Sequence, residues 1–246
     1  MASWFGIWDI LLLTVVPLQS LLIAYCHRPQ TKAFILSLPT PFTFAVLTLG
    51  GRVNVDNVIG MVIVLFYMHG VRLLHYKAKL NIILAIIISA LGYCVIGVCL
   101  AGKFSRSDII FWLTSLAVLI VGIVTLRLTP DRYEAGNRSP LPWYIKLPSL
   151  VLVILFLLLM KKTMGGFMAV FPMMGVVTSY EARKCLWSIC RQIPVMLICF
   201  VPMFGVCWLV QDRWGIAVAL ILGWATLLTF LLPMMKLTWR PQVTPC

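Results

Sequence analysis

The chain reads as an all-α membrane protein of about nine transmembrane helices: two parallel four-helix repeats preceded by one N-terminal helix. Three observations predict this. Of 246 residues, 62% are hydrophobic and only 11% charged, where an ordinary soluble domain carries about a quarter charged residues. The charges gather in short clusters between apolar runs of 14 to 22 residues, near the roughly 20 that a helix needs to cross a hydrocarbon core. Several features of the first half also recur in the second, in the same order.

The runs are 10–25, 33–51, 57–74, 80–101, 109–127, 147–160, 164–180, 190–210 and 215–236. They lack the strict alternation of barrel strands, and backbone groups in lipid must be satisfied within their own segment, so each run is expected to be a helix. No Lys or Arg precedes the first run. It therefore lacks the basic region of a secretory signal and reads as a retained helix.

Lys and Arg number 20 against 7 acidic residues, scattered one to three at a time over the loops. That pattern suits orientation better than nucleic-acid binding. Alternating the loops between two sides places fourteen basic residues on one side and six on the other (Arg52, Lys103, Arg106, Lys161, Lys162 and Arg213). The positive-inside rule then puts the N-terminus outside and the C-terminus in the cytoplasm, as expected of a multi-pass protein of a bacterial-type inner membrane. The eight cysteines form no Cys-x-x-Cys pair and lie mostly in apolar runs, so they read as small buried hydrophobes, with no metal and no cofactor expected.

The repeat has an offset of 104 to 109 positions: Leu147-Pro148 matches Leu38-Pro39, Lys161 matches Arg52, Gly166 matches Gly60, and Asp212 matches Asp108. The segments are then 1–32, an N-terminal helix and loop; 33–127, the first four-helix unit; 128–146, a cytoplasmic linker rich in charge and Pro; and 147–246, the second unit. Four spans per unit is an even number, so both units enter from the same side, and the axis relating them runs along the membrane normal. Trp143 and Tyr144 suit an interfacial anchor at the end of the linker.

In the second unit, Ile145-Lys146 precedes an apolar helix and Lys161-Lys162-Thr163 closes it, followed by Gly166, Phe171-Pro172, Glu181-Ala182 and Trp187-Ser188-Ile189 ahead of Pro194. Over about 145–237 this resembles the small four-helix inner-membrane proteins of the GlpM-like family. The resemblance implies a fused pair of four-helix modules standing in for a homodimer, with no activity to carry over. The first unit departs from the pattern, with Phe66-Tyr67 and Lys77 where the second has Phe171-Pro172 and Glu181.

Two groups of site residues follow. Asp56, Asn57, His69, Gly166 and Pro172 are candidates for a substrate or proton pathway. Pro172 should break the seventh span and free carbonyls near Met168, while Gly166 lets a neighbouring helix approach. Asp56, at the start of the third span, either caps that helix or receives a cation. His69, deeper in the same span, either relays protons or packs beside Arg72. Pro39 and Pro41 should distort the second span, with Thr40 and Thr43 as local partners for the freed backbone. Glu181, Lys184, Ser188 and Arg191, spaced i, i+3, i+7 and i+10, would share one arc of a short interfacial helix, and Glu181, Lys184 and Arg191 would contact an anion or lipid headgroup.

No catalytic constellation emerges, so an enzyme is not expected. The expectation is a transporter of a small solute or lipid-type substrate, with proton coupling as the first version to test. The alternative is a non-catalytic membrane subunit or scaffold that docks a partner through basic cytoplasmic loops. Expected partners are membrane lipids and the unknown substrate, with no nucleic acid; a second copy or a partner subunit is compatible with the sequence.

Overall fold

Asn54 begins the helix around which the rest is arranged. Its Oδ1 accepts from the Asn57 backbone N–H at 3.3 Å while the Asn57 Oδ1 accepts from the Asn54 N–H at 2.8 Å, a reciprocal cap that satisfies two otherwise orphaned donors. Asp56 sits in the first turn and complements the dipole, so the cap itself belongs to the two asparagines. This computed structural model describes residues 6–26, 28–104, 107–130, 132, 134 and 142–238.

In chain order the elements are α1 (Ile7–Tyr25), α2 (Pro29–Leu36), α3 (Thr40–Leu49), α4 (Val55–Tyr76), α5 (Ile82–Leu100), α6 (Asp108–Leu128), α7 (Trp143–Leu159), α8 (Lys161–Met164), α9 (Gly166–Val170), α10 (Met173–Glu181) and α11 (Leu186–Thr238). No strand occurs among the described residues. The protein is all-helical, and among the described residues six helices are long and apolar enough to cross a membrane: Ile7–Tyr25, Gln30–Leu49, Val55–Tyr76, Ile82–Leu100, Asp108–Leu128 and Leu186–Thr238. This is the signature of a multi-pass membrane protein. Helix also fills the shorter runs, but α7 has only 17 residues and the seventh run is cut into α8, α9 and α10. The last two runs form two helices, numbered together as α11, that meet at a kink at Gly215, whose φ of 81° is left-handed.

Two breaks shape the interior. At Ser37 to Pro39, two prolines without N–H groups, Pro39 and Pro41, separate α2 from α3. Thr43 Oγ1 donates to the Pro39 carbonyl at 2.8 Å, which the Thr43 N–H already reaches at 2.9 Å. The repair of the backbone comes from afar: Gln19 of α1 donates to the Ile35 carbonyl at 2.9 Å, while fully buried Gln192 of α11 braces the break by donating to the Ser37 hydroxyl at 2.6 Å. At the second break Pro172 is the residue preceding α10, not a kink within one helix. The Met168 carbonyl is not freed there, because the Phe171 N–H donates to it at 3.1 Å.

α4 lies against α5, α6, α9 and α11. Small residues set the approach: a Cβ on Gly60 of α4 would meet Val170 at 3.2 Å, and one on Gly97 of α5 would meet Phe167 at 3.3 Å. The buried Tyr93 hydroxyl donates to the Phe167 carbonyl at 2.8 Å, joining α5 to α9. α6 and α11 pair through the stacked rings of Phe111 and Trp208, 4.3 Å between centroids, while α1 packs on α3, α7 and α10. Apolar side chains on α5 and α6, among them Ile83, Leu84, Leu113 and Leu116, point outward and uncovered, as they would toward lipid.

Among the residues named from the sequence, Arg106 and the side chains of Trp143, Ile145, Lys146, Lys161 and Lys162 lie outside the described residues.

Candidate ligand cavity at the start of α4

The loop between α3 and α4 has no regular partner for its backbone, and Gln211 of α11 supplies one. Its Oε1 accepts from the Val53 N–H at 2.8 Å and its Nε2 donates to the Val53 carbonyl at 2.9 Å. The Gln211 side chain is only 6% exposed, so both bonds satisfy groups that would otherwise be stranded. Beside it, Asn57 Nδ2 donates to the Gly166 carbonyl at 2.8 Å and ties α4 to α9. Gly166 must be glycine here: an added Cβ would lie 2.7 Å from Asn54 Oδ1 and 2.9 Å from Asp56 Cβ. Trp208 Nε1 donates to Asp108 Oδ1 at 2.8 Å and ties α11 to the first turn of α6. Arg52 and Asp212 form an ion pair at the mouth, with side chains 62% and 65% exposed.

These contacts frame a cavity of about 370 Å³. Its walls are Arg52, Asn54, Asn57 and Asp108 from residues 33–127 and Gly166, Trp208, Gln211 and Asp212 from residues 147–236, with Val46, Leu49 and Ala169 as apolar lining. The volume falls in the range of small-molecule sites. Two carboxylates and one guanidinium line it, a formal excess of one negative charge in a chain whose net charge is +13. Such a surface can bind ammonium and hydrogen-bonding groups, and offers a guanidinium to an acid if Arg52 exchanges partners.

The structure brings together some of the sequence-predicted residues and separates others. Asn57 and Gly166 line the cavity, and Asp56 is buried immediately beneath Gly166. Pro172 lies elsewhere, in a separate apolar slot of about 60 Å³ between the two helix breaks, among Pro39, Met61, Met68 and Phe200. His69 is half-buried and lines neither space; twelve residues beyond Asn57, it is about 18 Å further along α4 at 1.5 Å per residue. The Glu181, Lys184, Ser188 and Arg191 arc does not form. α10 ends at Glu181, a turn follows at 182–184, and α11 starts at Leu186. Glu181 is fully buried and Lys184 is exposed, so the two do not present one headgroup-facing surface.

Arg52, Asp108, Trp208, Gln211 and Asp212 were not among the predicted site residues. The matched pair Asp108 and Asp212 carried a signal, since each stands at the same place in its proposed unit and both line the cavity. Among the described residues, no three His, Cys, Asp or Glu side chains gather as metal ligands. No family model, curated protein or solved structure matches the chain.

Proposed function

We propose that the protein is a carrier of the bacterial-type inner membrane that takes a small polar solute into the cavity at the start of α4. In this reading the chain crosses the membrane nine times as two parallel four-helix units plus α1, each unit a module of the GlpM-like kind. The basic loops face the cytoplasm, and the cavity opens outward. The observation that carries the reading is the position of the cavity, walled by residues 33–127 on one side and 147–236 on the other, where duplicated transporters place their substrate. The contacts of Gly60 and Gly166 add support: each unit's glycine receives the other unit's side chains, Val170 and Phe167 in one case, Asn54 and Asp56 in the other.

The excess carboxylate in the lining favours a cation or zwitterion bearing an ammonium group over an anion. Proton coupling rests on α4, which carries Asp56 at the cavity end and His69 toward the other. The test is uptake into proteoliposomes of a panel comprising methylamine, ethanolamine, glycine and acetate, with and without an imposed pH gradient. The reading expects uptake of an ammonium-bearing solute, loss of that uptake in Asp108→Asn, and an altered pH response in His69→Ala. Uptake that is insensitive to Asp108→Asn would count against the cavity as the route.

A second reading is favoured by one observation, the cluster of Arg72, Lys77 and Arg132 at the other end of α4. A non-transporting subunit would use it to dock a partner. Absence of uptake for the whole panel, with an acidic protein co-purifying from the native membrane, would select that reading.

A further inference from the structure

The C-terminal end of α4 carries a second cavity of about 400 Å³, lined by Arg72, Tyr76, Lys77, Arg132, Glu134 and Trp187. Its organising residue is Trp187 at the start of α11. The indole Nε1 donates to the Pro130 carbonyl at 2.8 Å, which fixes the ring against the linker. Two guanidinium groups lie over this ring, Arg72 at 4.4 Å and Arg132 at 4.1 Å from its centroid. Cation–π contact of this kind holds an arginine in place without using its N–H donors.

Among the described residues, the one carboxylate lining the cavity is already engaged. Glu134 accepts from the Trp187 N–H at 3.3 Å and from the Ser188 N–H at 2.8 Å, so it caps α11 and complements the helix dipole. The Tyr76 hydroxyl is likewise used, donating to the Arg183 carbonyl at 3.0 Å. Among the described residues, no carboxylate forms an ion pair with Arg72, Lys77 or Arg132. Three cations therefore converge on one cavity with no ion-pair partner among the described residues, two of them held by a ring that is itself fixed.

We infer that this cavity binds a phosphate group, presented by an anionic phospholipid headgroup or by a free phosphate. Paired guanidinium forks with an adjacent ammonium match the three acceptor oxygens of a phosphate. This site is distinct from the solute cavity and does not depend on the transport reading. It also relocates the headgroup contact expected at Glu181, Lys184 and Arg191: of the cationic residues near that turn, the ones gathered around a cavity are Arg72, Lys77 and Arg132.

The experiment uses the purified full-length chain in detergent. Native mass spectrometry reads retention of phosphatidylglycerol, and thermal unfolding reads stabilisation by inorganic phosphate against sodium chloride at matched ionic strength. Wild type is compared with Arg72→Gln, Arg132→Gln and Lys184→Gln, the last removing an exposed cation outside the cavity. Each cavity variant is expected to weaken binding about tenfold, as loss of one charge-assisted hydrogen-bonding partner does, while Lys184→Gln leaves it unchanged. Effects on phosphatidylglycerol alone identify the lipid as the source of the phosphate; effects on both probes show that a free phosphate suffices. If Arg72→Gln fails to fold, Arg132→Gln decides, because Arg132 is exposed on the linker. Binding of both probes unchanged in Arg132→Gln, or weakened equally by Lys184→Gln, overturns the inference.

Discussion

The two ends of α4 carry cavities of similar size and opposite character. At the N-terminal end, about 370 Å³ is lined by two carboxylates and one guanidinium; at the C-terminal end, about 400 Å³ is lined by three cations and a carboxylate that already caps a helix. They also differ in how they are held. The first is fixed by amide groups that bridge elements: Gln211 to the α3–α4 loop, and Asn57 to α9. The second is organised by an indole ring that positions cations from two separate segments. The N-terminal end is thus tied into the folded core by bridging amides, whereas the C-terminal end is a surface charge arrangement that the fold tolerates and orients.

The comparison makes graded predictions for unfolding in detergent. The largest effect belongs to Gly166→Leu, whose Cβ alone would clash at 2.7 and 2.9 Å with the capped start of α4. A loss of about 3 kcal/mol or failure to fold is expected, and a variant with wild-type stability would break the close-packing account. Gln211→Leu comes next, because it strands the Val53 N–H and carbonyl together, at about 2 kcal/mol. Trp208→Phe keeps the stack on Phe111 but removes the bond to Asp108, for about 1 kcal/mol. Arg52→Ala breaks a largely exposed ion pair and should cost under about 1 kcal/mol. Smallest is Arg132→Gln at the other end, within about 0.5 kcal/mol of wild type. A larger loss from Arg132→Gln than from Gly166→Leu or Gln211→Leu would show that the stiff end of α4 is the C-terminal one.

Much of the fold was legible because hydropathy in a bilayer is a local signal. Helix stands in each apolar run, and Pro39, Pro41 and Pro172 marked both breaks. Their consequences were less legible. Gln19 and Gln192 reach the first break from 16 and 155 residues away, and no local pattern announces such a partner. The turn at 182–184 left no mark in the sequence either, since Ala182, Arg183 and Lys184 include neither glycine nor proline to interrupt the helical spacing that aligns Glu181 with Arg191. Of the cavity, Asn57 and Gly166 stood out as a polar helix start and a small residue within an apolar run. Arg52, Asp108, Gln211 and Asp212 read as ordinary loop and helix-end residues, and became a site only where the ends of α3, α4, α6 and α9 meet α11 just before its kink at Gly215. The matching positions of Asp108 and Asp212 in the proposed units were a further trace of that convergence in the sequence.

The most direct test of the account is the sidedness of α4's two ends. With Cys26, Cys99 and Cys246 replaced by serine, the remaining native cysteines, at 94, 185, 190, 199 and 207, are buried, so a new cysteine can be read alone with a membrane-impermeant maleimide. Arg52→Cys is predicted to react in intact cells, and Arg132→Cys only after the membrane is opened. Labelling of Arg132→Cys in intact cells, or of both positions from the same side, would contradict an outward solute cavity opposed to a cytoplasmic cationic one.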